Sequence, residues 1–417
     1  MHAFVGRSLR SLAGAALIAT GLAAASQQTP GWIQTHAAER ARYLANAAIW
    51  RDPGELTPQM IKQGPPAPLP NAIPRPSFAE AIECTFEEPG EAMGGHTPKF
   101  ACRTSDGRLL RVKYYDATEH GNREVFAEVA ATRLLWALGF DADAMFSIAI
   151  TCRECPANPM NGSGPLATRQ YIAAYEPHYD GALITSSADA DQGWTFGELE
   201  VAIDTLTSGA VHARQRMHFD ALSLLGVFIQ HGDRKRSQQR LVCRGSVETA
   251  QGDVESAREP STLVLLERPG GHACAGETVV TLQDIGATFG GAGKLSSNTT
   301  AKMNLKTWAA ERIFDKASGS EPVECRGNIT VSSAAGKDSR GHPRIGEVGR
   351  RFLAEQFKRL TPGHVRAIFE ASRMDQMESP PQWHDPASGR TYSGIDAWVA
   401  VFQDKVRQIQ TQRCSNP

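Results

Sequence analysis

The pattern of hydrophobic and polar positions divides the chain into a β-rich part and a later, helical part. Between residues 79 and 116, short runs that alternate apolar and polar side chains are separated by turn signals such as Asp106-Gly107, a dipeptide typical of tight hairpins. A longer run with helical spacing, which stops at Gly139, then interrupts the strands. The predicted elements are strands over 81–86, 99–103 and 109–115, a helix over 123–138, and strands over 145–151 and 168–175.

After Pro177 the apolar spacing becomes mostly helical. Phe219, Leu222 and Leu225 follow one another at three-residue intervals, which keeps them on one face of a helix. Two short β runs interrupt this part, and we expect them to pair as a hairpin. The predicted helices cover 195–206, 213–230, 345–360, 362–372 and 394–411, and the two β runs cover 240–242 and 279–282. A small β-rich lobe with one helix followed by a larger, mostly helical lobe is an α+β fold.

The N-terminus has the three parts of an export signal. Arg7 and Arg10 precede a short apolar run over 12–22, and three alanines follow it before Ser26. The run is shorter than the ~20 apolar residues that span a membrane. We therefore predict that residues 1–25 are a cleaved signal peptide and that the protein is periplasmic or extracellular; an uncleaved anchor is the alternative. No later segment is apolar enough to be predicted as transmembrane.

Residues 26–78 are predicted to form an N-terminal helix and a linker. The stretch over about 32–50 has the composition of a helix, whereas residues 53–76 are rich in proline. Proline-rich sequence favours an extended strap over a folded core.

Charge and composition exclude some classes of partner. The chain of 417 residues has 44 basic and 45 acidic residues, a net charge of −1, and 41% hydrophobic residues. A chain of this size can bury more than one core. Because the net charge is close to zero, no overall field attracts the protein to nucleic acid, and we predict no nucleic-acid partner.

The eight cysteines indicate disulfides. An even number of cysteines in an exported chain is typical of a disulfide framework. Proximity in sequence favours three pairs and leaves a fourth: Cys84 with Cys102, Cys152 with Cys155, Cys243 with Cys274, and Cys325 with Cys414. A zinc site is weaker because only one CxxC is present, and a redox role for that CxxC is a further alternative.

A lysine and a glutamate in the β-rich part are candidates for binding phosphate. Lys113 lies near the end of a predicted strand, and Glu128 lies in the helix that follows. An ion pair between them would orient the lysine toward a phosphate group. A strand-end lysine that reaches into water is the ordinary explanation, and Glu124, one helical turn earlier, is an alternative partner.

Three polar residues in the later part complete a possible phosphoryl-transfer site. Asp233 lies in a loop after a long apolar helix and could accept a hydroxyl proton. Gln238 and Asp284 offer an amide and a carboxylate oxygen to a divalent cation. Phosphoryl transfer requires held phosphates, bound metal and an oriented nucleophile. Five such residues in this order indicate a phosphotransferase more strongly than any one of them alone.

These residues lie in runs that resemble the atypical protein-kinase-like superfamily. Residues 95–100 (GHTPKF) resemble the phosphate loop of HipA-type kinases, and residues 128–140 resemble their glutamate-bearing helix. Residues 232–238 (GDRKRSQ) are similar to the Gly-Asp-Arg-His-x-x-Asn loop of phosphatidylinositol kinases, and residues 284–286 (DIG) to their Asp-Phe-Gly. Secretory-pathway kinases share this architecture. The resemblance covers about 79–300 in separate blocks.

The resemblance implies a two-lobed kinase-like fold that binds ATP or another nucleotide with Mg²⁺ or Mn²⁺. The N-lobe would be 79–176 and the C-lobe 177–417, with an insertion over 244–278. Transferred to this chain, the family's roles make Lys113 and Glu128 the phosphate-binding pair. Gly94 and Gly95 would cover the phosphates, and Lys99 would also belong to the nucleotide-binding residues. Asp233 would be the catalytic aspartate, with Gln238 and Asp284 as the metal ligands.

Two departures from the family pattern leave several functions open. Gln238 stands where asparagine is usual, and Lys235 stands where the lipid kinases have histidine. The first hypothesis is an exported kinase acting on an unknown protein or small-molecule hydroxyl. The second is a pseudokinase that binds a ligand without turnover. The third is an envelope binding protein without a nucleotide, which predicts that Lys113 and Asp284 lie far apart.

Overall fold

The structure is a computed structural model that describes most of the chain outside the N-terminal segment. The described residues are 32–35, 37–66, 81–88, 97–115, 123–177, 181–186, 193–249, 254–256, 272–290, 303–329, 331, 341–377 and 380–415. The predicted signal peptide, Gly94, Gly95 and much of the insertion over 244–278 lie outside these residues.

Within the described residues, helices and strands are mixed, which confirms the α+β class. The strands are β1 (Trp32–Thr35), β2 (Ile82–Glu87), β3 (Lys99–Thr104), β4 (Leu109–Tyr114), β5 (Phe146–Cys155), β6 (Ala167–Tyr175), β7 (Ala182–Ser186), β8 (Gln239–Arg244), β9 (Ser246–Thr249), β10 (Val254–Ser256), β11 (His272–Cys274), β12 (Glu277–Leu282), β13 (Cys325–Arg326), β14 (Arg344–Ile345), β15 (Gln382–His384) and β16 (Thr391–Ser393). The helices are α1 (Ala37–Asn46), α2 (Pro58–Gln63), α3 (Glu124–Ala137), α4 (Phe196–Leu206), α5 (Gly209–Phe228), α6 (Leu305–Ala310), α7 (Glu347–Lys358), α8 (Pro362–Ala371) and α9 (Gly394–Thr411).

Five strands close into a small barrel in the order β2-β3-β4-β6-β5. In β4 the buried positions alternate, so that Leu110, Val112 and Tyr114 point into the barrel. Because side chains alternate across a strand, Lys113 leaves the barrel on its outer face. Helix α3 packs against that outer face through Val125 and Val129. It ends at Ala137, and Gly139, two residues later, has a φ of 85° that suits glycine.

A second sheet has the order β1-β7-β8-β12. Its central feature is the predicted hairpin, since β8 pairs antiparallel with β12 from Gln239 opposite Leu282 to Arg244 opposite Glu277. This pairing places the residues that flank the two strands, Gln238 and Gln283, beside each other, and the backbone N–H of Gln283 donates to the carbonyl of Gln238 at 2.8 Å.

The predictions for two adjacent strands of this sheet, β1 and β7, were wrong. Residues 32–35 form strand β1 instead of helix, and residues 182–186 form β7 where helical structure was expected. The two strands pair in parallel with each other, and β7 also pairs with β8. A short strand whose partner is distant in sequence has no local periodicity that identifies it, which is why the pattern missed both.

The proline-rich segment also contains a helix that the sequence did not predict. Helix α2 begins after Thr57, whose side chain caps the backbone N–H of Met60 at 3.2 Å, and has a proline in its first turn, a position that proline favours. It buries Ile61 and packs against α8. The beginning of the predicted linker is therefore part of the folded protein.

The later part of the chain is mainly helical, as predicted. Helix α4 starts with a capping box between Thr195 and Glu198. Helix α5 buries Phe219, Leu222 and Leu225, in agreement with their spacing. Five aromatic side chains pack together between α5, α6, α8 and α9 and fill this core: Phe228, Phe289, Trp308, Phe369 and Trp398.

All eight cysteines form disulfides in the pairing that sequence proximity favoured. The bonds join Cys84 to Cys102, Cys152 to Cys155, Cys243 to Cys274, and Cys325 to Cys414. The last of these ties the segment after α9 to β13. Among the helices in the described part of the chain, not one is both long enough and apolar enough to cross a membrane.

Candidate functional site

The Lys113 ammonium group is held by two carboxylates. Its Nζ lies 2.8 and 2.9 Å from the two carboxylate oxygens of Glu128, and 2.6 Å from Oδ1 of Asp284. Glu128 is 1% exposed, because α3 covers the outer face of the barrel where Lys113 emerges. Glu124, the alternative partner from the sequence, packs against Gly286 instead.

Asp284 reaches Lys113 because the chain turns sharply after β12. Its φ is 49°, a left-handed conformation that aspartate adopts more readily than most residues. The backbone before it is fixed by the hydrogen bond from Gln283 to Gln238. The turn aims the carboxylate away from the sheet and toward the barrel.

The loop that carries Asp233 is anchored by the next residue, the buried Arg234. Helix α5 ends at Phe228, and Gln230, two residues later, has a φ of 58°. The His231 N–H donates to the Gly226 carbonyl at 2.8 Å. The Arg234 guanidinium then lies 4.4 Å over the ring of Phe196, and its Nε donates to the His231 carbonyl at 3.0 Å. These contacts fix the backbone of His231 and the side chain of Arg234, which lie on either side of Asp233 in the chain.

Gln238 bridges the two aspartates. Its Nε2 donates to Oδ2 of Asp233 at 2.9 Å and to Oδ2 of Asp284 at 3.0 Å. Lys235 also reaches Asp233, with its Nζ 3.0 Å from Oδ2. The structure therefore brings together five of the residues that the sequence singled out, from four separate segments: Lys113, Glu128, Asp233, Gln238 and Asp284.

Three further residues were predicted to bind the nucleotide: Lys99, Gly94 and Gly95. Lys99 is directly opposite Lys113 in the β3–β4 pairing, and its charge contributes to lowering the pKa of Asp284. Gly94 and Gly95 lie outside the described residues, so their predicted role at the phosphates stays a prediction.

Burial and charge perturb the acids of the cluster in opposite directions. Burial raises the pKa of Glu128 to about 8, although the neighbouring Lys113 opposes the shift. Burial also disfavours ionisation of Asp284, but Lys113, Lys99 and Gln238 outweigh it and lower the pKa of that carboxyl. Burial disfavours the charged form of Lys113 as well, yet the surrounding carboxylates raise its pKa well above its usual value. Shifts of this size are common at functional sites and in buried ion-pair networks.

One further acidic residue near the cluster, Asp143, was not predicted from the sequence. Asp143 is 4% exposed, and its backbone N–H donates to the Leu282 carbonyl at 3.0 Å. Burial and then the nearby Glu176 raise its pKa well above the usual value, and a hydrogen bond with Gln283 opposes the shift. The sequence has no signal for this contact beyond an aspartate between a predicted helix and a predicted strand.

The donor chemistry of the cluster suits a divalent cation. No group of three or more His, Cys, Asp or Glu side chains in the described residues is arranged to hold a metal ion, but here an amide oxygen accompanies two carboxylates. Hard oxygen ligands are those that Mg²⁺ and Mn²⁺ prefer. Oδ1 of Asp233 and Oε1 of Gln238 are both buried without a hydrogen-bond donor. Two buried acceptors without partners are consistent with a cation or a substrate hydroxyl at this place.

Comparisons with known proteins add little to these observations. No family model matches the chain, and no curated protein matches it. One solved structure with some similarity is the Helicobacter pylori proinflammatory kinase CtkA, with a TM-score of 0.37 and 10% sequence identity over 80% of this chain and 97% of that chain. A similarity at this level establishes neither a shared fold nor a shared activity.

Proposed function

We propose that this protein has a two-lobed kinase-like fold and binds a nucleoside triphosphate, with ATP expected, together with Mg²⁺ or Mn²⁺. In this proposal it transfers a phosphoryl group to a hydroxyl of an unknown protein or small molecule. The observation that carries the proposal is the contact of Lys113 with both Glu128 and Asp284. One lysine joined to a helical glutamate and to a second acid is an arrangement suited to binding phosphate beside a metal.

The proposal gives each residue of the cluster a separate task. Lys113, oriented by Glu128, would bind phosphate oxygens, and Lys99 would contribute a second positive charge. Asp284 and Gln238 would hold the cation, which when bound would neutralise charge on the phosphates. Asp233 would accept the proton of the attacking hydroxyl. Lys235, 3.0 Å from Asp233, would keep that carboxylate in position.

A nucleotide-binding protein without turnover is the second candidate. The observation in its favour is that Gln238 presents N–H groups, and not its oxygen, to both aspartates. The third hypothesis, a binding module without any nucleotide, expected Lys113 and Asp284 to be far apart. Their separation of 2.6 Å argues against it.

Export also belongs to the proposal. Four disulfides are consistent with an oxidising compartment, since stable disulfides are rare in the cytosol. The predicted signal peptide, residues 1–25, lies outside the described residues.

The test is the melting temperature of the disulfide-intact protein with ATP, measured with and without Mg²⁺ or Mn²⁺. A ligand that binds only the native state raises apparent stability by mass action. We expect a metal-dependent increase that is absent in Asp284→Ala. Asp404→Ala on the surface of α9 is the matched control and should keep the increase. No increase with either metal would contradict nucleotide binding at this site.

A further inference from the structure

Nitrogen donors of the protein itself contact both carboxylates of the cluster, Asp233 and Asp284. Lys113 binds Oδ1 of Asp284, Lys235 binds Oδ2 of Asp233, and the Gln238 amide nitrogen binds Oδ2 of both. The two carboxylates are therefore joined through one nitrogen that lies within 3.0 Å of each. Two carboxylates this close repel each other unless a positive or N–H group lies between them.

In the observed orientation of the Gln238 carboxamide, the nitrogen donates to both aspartates and the oxygen receives no hydrogen bond. Its Oε1 is buried and has no donor, an arrangement that disfavours folding because the oxygen has lost its hydrogen bonds to water. The opposite orientation would place three oxygens together without a cation. The amide thus takes the orientation in which its N–H groups lie between two neighbouring carboxylates.

The backbone of Gln238 is anchored on both sides, so only its side chain is free to change. Its N–H donates to the Lys235 carbonyl at 2.9 Å, and its carbonyl accepts from Gln283 at 2.8 Å. The residue ends a short 3₁₀ turn and precedes β8. A turn of the terminal carboxamide exchanges nitrogen for oxygen without moving either strand of the hairpin.

We propose that the Gln238 carboxamide is an internal substitute for the divalent cation. In the metal-free protein its nitrogen bridges Asp233 and Asp284, and when a cation binds the carboxamide turns and presents Oε1 to it. The inference rests on the metal requirement of the proposed function, and it adds that Gln238 regulates how tightly the metal binds. The Gln238 carboxamide therefore competes with the cation for the two aspartates. For this reason the cation binds more weakly than it would with a carboxylate at position 238.

The decisive experiment compares Gln238→Glu with the wild type in two measurements. The first is the melting temperature of the metal-free protein, and the second is Mn²⁺ affinity from the electron paramagnetic resonance signal of free Mn²⁺. A third carboxylate removes the bridging N–H groups, so the metal-free variant should melt at a lower temperature. The same carboxylate should tighten Mn²⁺ binding by about tenfold or more, because ligand charge tunes the affinity of such sites. Asp284→Ala should bind no Mn²⁺.

A measurement on the wild type covers the case in which Gln238→Glu does not fold. The side-chain NH₂ signals of Gln238, assigned by their absence in Gln238→Asn, should shift on addition of diamagnetic Mg²⁺ as their hydrogen bonds to the aspartates are lost. Unchanged signals at saturating Mg²⁺ would overturn the inference. So would a metal-free Gln238→Glu variant that melts with the wild type, or one that binds Mn²⁺ no more tightly.

These outcomes are separable from the failure of the proposed function. If the glutamate variant behaves as expected while ATP gives no metal-dependent increase in melting temperature, the substitute role stands and nucleotide binding fails. If ATP gives that increase and the glutamate variant binds Mn²⁺ no more tightly, the proposed function stands and the substitute role fails.

Discussion

Lys113 and Asp284 are separated by 171 positions in the chain, yet Nζ of the lysine lies 2.6 Å from Oδ1 of the aspartate. The same ammonium group also contacts both carboxylate oxygens of Glu128. One side chain therefore connects the barrel, helix α3 and the turn after β12. Any change to that charge acts on stability and on the candidate site together.

The first prediction concerns Lys113→Met. Removing the ammonium group leaves Glu128, which is 1% exposed, without its counter-charge, and breaking a buried ion pair in this way costs about 3–5 kcal/mol. Urea unfolding should show this loss. Because Glu128 can take up a proton, the loss should be smaller at pH 6 than at pH 9.

The double variant Lys113→Met with Glu128→Gln is the matched control for that experiment. It removes both charges at once, so it should recover part of the lost stability. A double variant that is less stable than the sum of the two single changes would contradict the ion-pair explanation.

The second prediction separates binding from transfer. Asp233→Ala should retain the metal-dependent increase in melting temperature with ATP, whereas any phosphoryl transfer should fall by about 10²–10⁴-fold, the usual contribution of a general base. The readout is transfer of labelled γ-phosphate to an acceptor beside the melting curve. Full turnover by Asp233→Ala would show that the base is a different residue.

The third prediction concerns acid stability and His218. This side chain packs between Trp50 and Phe352, and burial, aided by Arg214, lowers its pKa to about 4. A depressed pKa means that the unfolded chain binds more protons between pH 6.5 and 4. The contribution is therefore complete above pH 6.5 and is lost as the pH falls toward 4, by up to about 3 kcal/mol.

His218→Phe should flatten this pH dependence, because phenylalanine keeps an aromatic ring at this position but cannot take up a proton. Unfolding free energies measured between pH 7 and pH 4 are the readout. His384→Phe, at an exposed position in β15, is the control and should unfold with the pH dependence of the wild type. An unchanged slope in His218→Phe would assign the acid sensitivity to other groups, of which His231 is the first, because burial lowers its pKa to about 3.

The fourth prediction compares two disulfides of very different span. Cys325 and Cys414 are 89 positions apart, whereas Cys152 and Cys155 are 3 apart. In the chain-entropy model, replacing the first pair by alanines should cost about 4–5 kcal/mol and replacing the second about 2 kcal/mol. Urea unfolding of the two double variants tests the order. Equal losses would show that packing at the sulfurs, and not the span of the loop, sets the contribution.

Much of the barrel could be predicted from sequence because its information is local. The alternation of Leu110, Val112 and Tyr114 against Lys113 fixes which side of β4 faces inward, and Asp106-Gly107 marks the turn before it. The disulfides could be paired for a similar reason, since three of the four join neighbouring segments. In contrast, β1 is a strand only because it pairs with β7, and β7 because it pairs with both β1 and β8, a long-range cause that leaves no local pattern.

The sequence by itself determined which side chains are capable of the proposed chemistry: a lysine, a glutamate, two aspartates and a glutamine, in an order that resembles a known superfamily. The tertiary structure decided how they meet. The pairing of β8 with β12 sets Gln238 beside Asp284, and α3 seals Glu128 against Lys113. The tertiary structure also decided that the Gln238 nitrogen faces both aspartates. In the same way, it placed Asp143 in a buried position beside Gln283. Distances, burial and the direction of a side-chain amide depend on contacts between remote segments, and such contacts exist only in the folded chain.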